Sequence, residues 1–273
     1  MSTAVFRKTL RDATVLLTAL TLAVLVLELG IVRMLIETAK NLDHLRKWLE
    51  LPLIRDLLQI ALGADLIGDL TPTTMATFGL AHPLLYVFAW TLLIAMGSAV
   101  IAGEIDRGTA DLLLTLPISR GAVYLSTSAA WAAAAVLIGV APLAGLWLGV
   151  HIWPAAGPVD FARLWPLIPN FVALNLAVAG LAMLISSLVS RRGKAVGIVL
   201  AVLLISDLFN ILTQFWSVLR PIRFLGFLHY YRVLPVVRSG NLPWGDIGIL
   251  FAVAAVAWLA GLWHFRRRDI PAV

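Results

Sequence analysis

Residues 97–125 read GSAVIAGEIDRGTADLLLTLPISRGAVYL. The stretch leaves one apolar run, passes Glu104, Asp106, Arg107, Asp111 and Arg120, and enters another apolar run. Gly108, Thr109 and Pro117 punctuate its middle. On either side, residues 83–103 and 122–150 carry no charge at all. A helix needs about 20 mostly apolar residues to cross the hydrocarbon of a bilayer. Both flanks meet that length. The charged piece is therefore a compact element joining two membrane spans.

The rest of the chain agrees. Of 273 residues, 61% are hydrophobic and 13% charged. A soluble domain has about half apolar and a quarter charged residues. So few charges leave a soluble globule of this size without a polar surface, and that class is excluded. Four further apolar stretches follow the same length rule, at 13–32, 164–189, 195–216 and 247–265. The fold expected is an all-α integral membrane protein with six transmembrane helices. The N-terminal MSTAVFRKTLRD runs into the first span without a clear small-residue cleavage site and reads as retained.

Net charge is +6. In a soluble chain that balance suggests nucleic acid. Here the basic residues sit beside apolar spans, which is what anionic leaflets and membrane orientation select, so no nucleic-acid partner is expected. Eleven of the 21 Lys and Arg fall in four short segments: Arg7, Lys8, Arg11; Arg107, Arg120; Arg191, Arg192, Lys194; and Arg266, Arg267, Arg268. That density favours a topology with both termini inside. The element 104–120 then faces the cytoplasm, and 33–81 and 217–246 lie outside. Cys is absent, so no disulfide or thiolate metal site exists.

Within 104–120, Gly108 is a poor helix interior and a good stop. Thr109 can cap a new short helix, with Asp111 in its positive first turn. Leu112, Leu113 and Leu116 line that helix, which must end before Pro117. Ser119 can cap the third span. The second span is expected to continue to Arg107. A reversal of direction needs only a few residues, so a capped leucine-bearing helix reads either as a docking surface or as an interfacial helix without a partner. At the N-terminus, Phe6 and Leu10 lie opposite Arg7, Lys8 and Arg11. Residues 1–12 therefore read as a short helix in the inner interface or as charges that fix topology.

These residues carry a family resemblance. The stretch 102–120 resembles the motif of ABC-2-type transporter permeases, the membrane subunits of ATP-binding-cassette exporters. Glu104, Gly108, Thr109, Asp111, Leu113, Pro117, Ile118 and Ser119 fit its pattern position by position. FRKTLRD (6–12) resembles the family's N-terminal connecting helix. The sequence from His229 through Asp269 resembles its last outer loop, sixth span and Arg-Arg-Asp tail. The resemblance implies that 104–120 contains a coupling helix seated in a cytoplasmic ATPase, present in two copies. It implies a second permease, as a homodimer or a related chain, and re-entrant outer helices in 217–246. ATP and Mg would bind the partner and no cofactor would bind this chain, which is a transport subunit and not an enzyme. The location implied is the cell inner membrane.

Glu28 and Asp207 interrupt apolar runs. A charge at the bilayer centre is unfavourable by at least about 2.5–3.5 kcal/mol, so each must face the bundle, an aqueous cavity or the interface. Glu28 lies near the outer end of the first span, within reach of the interface. Asp207, with Ser206 and Asn210 beside it, reads as a pathway group or a structural hydrogen bonder. Asn175 in the fourth span reads as helix–helix glue, and Gly180 as a close-packing position. The outer segment 33–81 carries apolar stripes at helical spacing, broken at Pro52. It could cover a cavity, recruit an extracytoplasmic partner or rest on headgroups. No Gly-x-x-x-x-Gly-Lys-Ser/Thr, His-Glu-x-x-His or Gly-x-Ser-x-Gly motif occurs, and the five His lack metal-ligand spacing. Two other functions fit the residues: a proton-coupled carrier using Glu28 and Asp207, and a scaffold acting through 33–81.

Overall fold

A computed structural model describes residues 2–40, 47, 49–64, 70–108 and 118–268. Every regular element among them is helical. Among the described residues, six helical stretches are long and apolar enough to cross a membrane, the second running over Pro72–Ala99 and the fourth over Phe161–Leu188. Their main helices are α1 (Thr3–Ala39), α2 (Pro83–Ala99), α3 (Arg120–Ile152), α4 (Leu167–Leu188), α5 (Arg192–Phe215) and α6 (Trp244–Arg267). The chain is an all-α integral membrane protein.

α1 differs from the expectation of a separate interfacial helix over 1–12. It runs unbroken for 37 residues, capped by the Ser2 hydroxyl, which accepts from the Val5 amide. No glycine or proline lies between Thr3 and Leu29 to end it. Lys8 and Asp12 pair at 3.2 Å across one turn. At 1.5 Å per residue the helix is roughly 55 Å long, well beyond the roughly 30 Å hydrocarbon. Phe6 and Leu10 turn inward onto the core, while Arg7, Lys8 and Arg11 stay exposed.

α2 also departs from the sequence reading. It stops at Ala99, and a separate short helix, Ala102–Asp106, follows. Ser186 of α4 spans the break. Its hydroxyl accepts from the Ala102 amide at 3.0 Å and donates to the Ser98 carbonyl at 3.3 Å. Groups that the interruption would orphan in an apolar setting are thereby satisfied, which is what permits a break at membrane depth. In α3 the helix continues through Pro142.

α4 is the most enclosed of the six and packs most extensively on α6; α1 packs chiefly on α3. Gly180 sets the first contact. A Cβ there would come within 2.8 Å of the Ala254 carbonyl oxygen, so only glycine allows this approach. Hydrogen bonds add to the packing between α3 and α6: Tyr124 donates to the Trp258 carbonyl at 3.0 Å, and the Trp258 indole donates to Ser128 at 2.7 Å.

At the end of the bundle where α2 begins and α5 finishes, shorter elements gather. They are helices Pro52–Leu62, Pro72–Met75, Thr77–Leu80 and Val233–Ser239, and 3-10 turns Ser217–Leu225 and Phe227–Tyr230. The 3-10 segment folds back along α5. The Phe227 amide donates to Ser206 at 2.8 Å, and Gly226 sits against Asn210. Ser206 lies nine residues before the last residue of α5, so the segment reaches roughly 13 Å back along that helix.

Candidate functional site

The other end of the bundle holds the flanks of the charged element. There the start of α1 meets the helix that follows α2. Glu104 accepts from Lys8 at 3.1 Å and from Arg107 at 2.8 Å through the same oxygen. Its side chain is only 13% exposed, whereas both cations are about half exposed. The carboxylate is thus the enclosed centre and the cations are its outer partners. Next to it, the Arg192 amide donates to Asp106 at 3.4 Å, and the Arg192 guanidinium donates to the Ala95 carbonyl at 3.1 Å. That ties the start of α5 to the end of α2.

Three more helix ends are joined beside them. Arg268 donates to the carbonyls of Ser187 and Val189 at 2.8 and 2.9 Å, closing the end of α4. Arg120 donates to the carbonyls of Arg268 and, at 3.4 Å, Phe265, joining the start of α3 to the end of α6. The Ser2 amide donates to Ser126 at 2.7 Å, tying α1 to α3. Gly108, at φ +66°, ends the helix before it in the left-handed region that favours glycine. Ser119 caps α3, accepting from the Ala122 amide at 3.2 Å. Thr109, Asp111, Leu112, Leu113, Leu116 and Pro117 lie outside the described residues.

The opposite end contains a cavity of about 680 Å³. Its wall is formed by helix Pro52–Leu62, the start of α2, the last turns of α5 and the folded-back segment. Asp207 and Asn210 line it. Asp207 is half-buried and has neither a hydrogen bond nor an ion pair within the described residues. Arg223, His229 and Arg232 stand on the same wall. Arg232 bridges to Asp246 at 3.1 Å. Burial, reinforced by Arg223 and Arg232, pushes the His229 imidazole below its ordinary pKa.

The four membrane polar candidates do not form one site. Glu28, near the outer end of its span, is enclosed by protein. It is fully buried, and among the described residues neither carboxylate oxygen has a hydrogen-bond partner. Its carboxyl fills the space where Gly79 has no side chain, because a Cβ on Gly79 would lie 2.2 Å from Oε2. Helix Thr77–Leu80 therefore covers the position that the bare sequence leaves at the membrane edge. Asn175 is fully buried too, and among the described residues neither amide atom has a hydrogen-bond partner. Ser186, Ser128, Tyr124 and Trp258 are among the residues that make interhelical bonds inside the bundle.

Over residues 4–270 the chain matches the family model described as ABC-2 family transporter protein. The chain belongs to that family. No curated protein matches it. It is the membrane permease of an ABC transporter, a transport subunit of a family that pairs with a cytoplasmic ABC ATPase. The residues that sequence reasoning overlooked in this permease are Ser186, Arg192 and Arg268 as carbonyl and amide clamps. Arg192 and Arg268 were visible only as topology charges. Their partners are backbone atoms on other helices, which no local pattern marks. Asn170, buried and without a partner like Asn175, was missed for the same reason.

Proposed function

We propose that this permease forms the pathway of an exporter driven by ATP that a separate cytoplasmic subunit hydrolyses. Residues 104–120 are the element that couples the two. The supporting observation is the framework around that element. Glu104 ties it to α1 and Asp106 to α5, Ser186 of α4 holds Ala102 just ahead of it, and Ser119 and Arg120 lead into α3 and α6. A push on 108–118 is thus delivered to five other helix ends through short polar links. In this reading both termini and the element face the cytoplasm. Two ATPase copies engage two permeases, this chain with itself or with a related chain, in the cell inner membrane. ATP and Mg belong to the partner.

The test is co-purification of the ATPase with wild-type permease and with a Glu104→Lys/Asp111→Lys variant. The variant should release the ATPase while the six helices stay inserted. Undiminished capture would overturn the docking assignment.

Glu28 supports a second reading, in which the chain alone works as a proton-coupled carrier, because a buried unpartnered carboxyl is a plausible proton site. Vesicles holding the permease without any ATPase separate the two. Uptake driven by a proton gradient alone favours the carrier, and dependence on added ATPase and ATP favours the exporter.

A further inference from the structure

The 680 Å³ cavity has a size common among small-molecule sites, which occupy roughly 300–1,000 Å³. Its charges are divided. Arg223 and Arg232 line it near His229, whose charge they oppose. Asp207 projects from α5 and forms no ion pair with either arginine. An unpaired carboxylate on an apolar span is unfavourable, and protein groups normally compensate it. Among the described residues no such group is present. Part of the wall is apolar: Leu57 and Leu58 belong to a helix whose Leu53 and Leu57 are at least half exposed. Exposed leucines of this kind suit contact with acyl chains.

We propose that this cavity binds a zwitterionic amphiphile, with its ammonium on Asp207, its phosphate on Arg223 and Arg232, and its acyl chains along Leu57 and Leu58. Arg232 retains donors for this after bridging Asp246, since a guanidinium carries five N–H groups. Asn210 and Tyr86 supply further polar edges beside Asp207. The site is distinct from the coupling end and does not rest on the ATPase reading, because binding is measured on the permease alone.

The experiment uses purified full-length permease in nanodiscs of phosphatidylglycerol. It is photolabelled with phosphatidylethanolamine or phosphatidylglycerol carrying a diazirine in one acyl chain, and the labelled peptides are identified. Wild type should label at 53–62 or 207–231 with preference for the ethanolamine lipid. Asp207→Asn should reduce that preference by about tenfold, the worth of one hydrogen bond to a charged group. Arg223→Gln/Arg232→Gln should lower labelling by both lipids. Unchanged melting temperatures exclude a fold defect, and Asp207→Glu should keep the preference. Three results would overturn the proposal: no labelling of these peptides in wild type, a preference untouched by Asp207→Asn, or full competition by chain-free phosphoethanolamine. The last would mark a water-soluble zwitterion as the occupant.

Discussion

Replacing Glu104 perturbs a carboxylate that holds α1 to the proposed coupling element. Its oxygen serves Lys8 at 3.1 Å and Arg107 at 2.8 Å. Unit charges about 4 Å apart interact by about 1 kcal/mol in water and about 4 kcal/mol near a protein surface. Both cations are about half exposed, so screening holds each pair toward the lower figure. Glu104→Gln removes the charge but keeps an acceptor, and should weaken the local structure by about 1–2 kcal/mol. Glu104→Lys turns two attractions into two repulsions in a place where the side chain is mostly enclosed, which raises the penalty to about 2–4 kcal/mol. If ATPase binding requires the element to be held in this position, affinity should fall about tenfold for Glu104→Gln and further for Glu104→Lys, at 1.4 kcal/mol per tenfold. The assay is a titration of purified ATPase onto permease in nanodiscs. A Lys8→Glu/Glu104→Lys double variant, which restores opposite charges, should recover part of the lost affinity, because contacting residues couple. Additive losses in the double variant, or affinities equal to wild type in both single variants, would refute the reasoning.

Three other expectations follow from individual contacts. Gly180→Val should force α4 off α6 at Ala254 and lower the melting temperature, with a destabilisation of about 1–3 kcal/mol. Ser186→Ala should leave the Ala102 amide without its acceptor, at a cost of about 1–3 kcal/mol, and should slow transport more than ATPase binding, since the break in α2 lies between the docking element and the bundle. Folding depresses the His229 pKa, so its neutral form is favoured in the folded state. The contribution is present above the free value of 6.5 and is lost as pH falls through the lower folded value. Proteolytic cutting within 217–231 should therefore rise on acidification below 6.5, and His229→Phe should remove that rise.

The six spans were legible because each announces itself by a long apolar run, a signal that needs no tertiary information. Gly108 and Ser119 were legible because stop and cap chemistry is local. The continuity of α1 was not, since charges at 7, 8 and 11 look the same on a separate helix and on the overhang of a long one; only length against bilayer thickness distinguishes them. The break after Ala99 was hidden inside an uncharged run and depends on Ser186, distant in sequence. The enclosure of Glu28 was hidden for a similar reason: Thr77–Leu80, distant in sequence, folds over it. Asp207 and Asn210 were found together because they share one helix face, while Arg223 and Arg232 join the cavity from elements that follow α5.

Site-directed cross-linking is the most direct test of the coupling element. The chain has no cysteine, so one placed at Ser119 or Leu113 is a unique handle. It should be modified by an impermeant reagent from the cytoplasmic side and, in membranes, should cross-link to an ATP-binding subunit that protects it when ATP is present. Modification from the extracytoplasmic side alone would contradict the assignment.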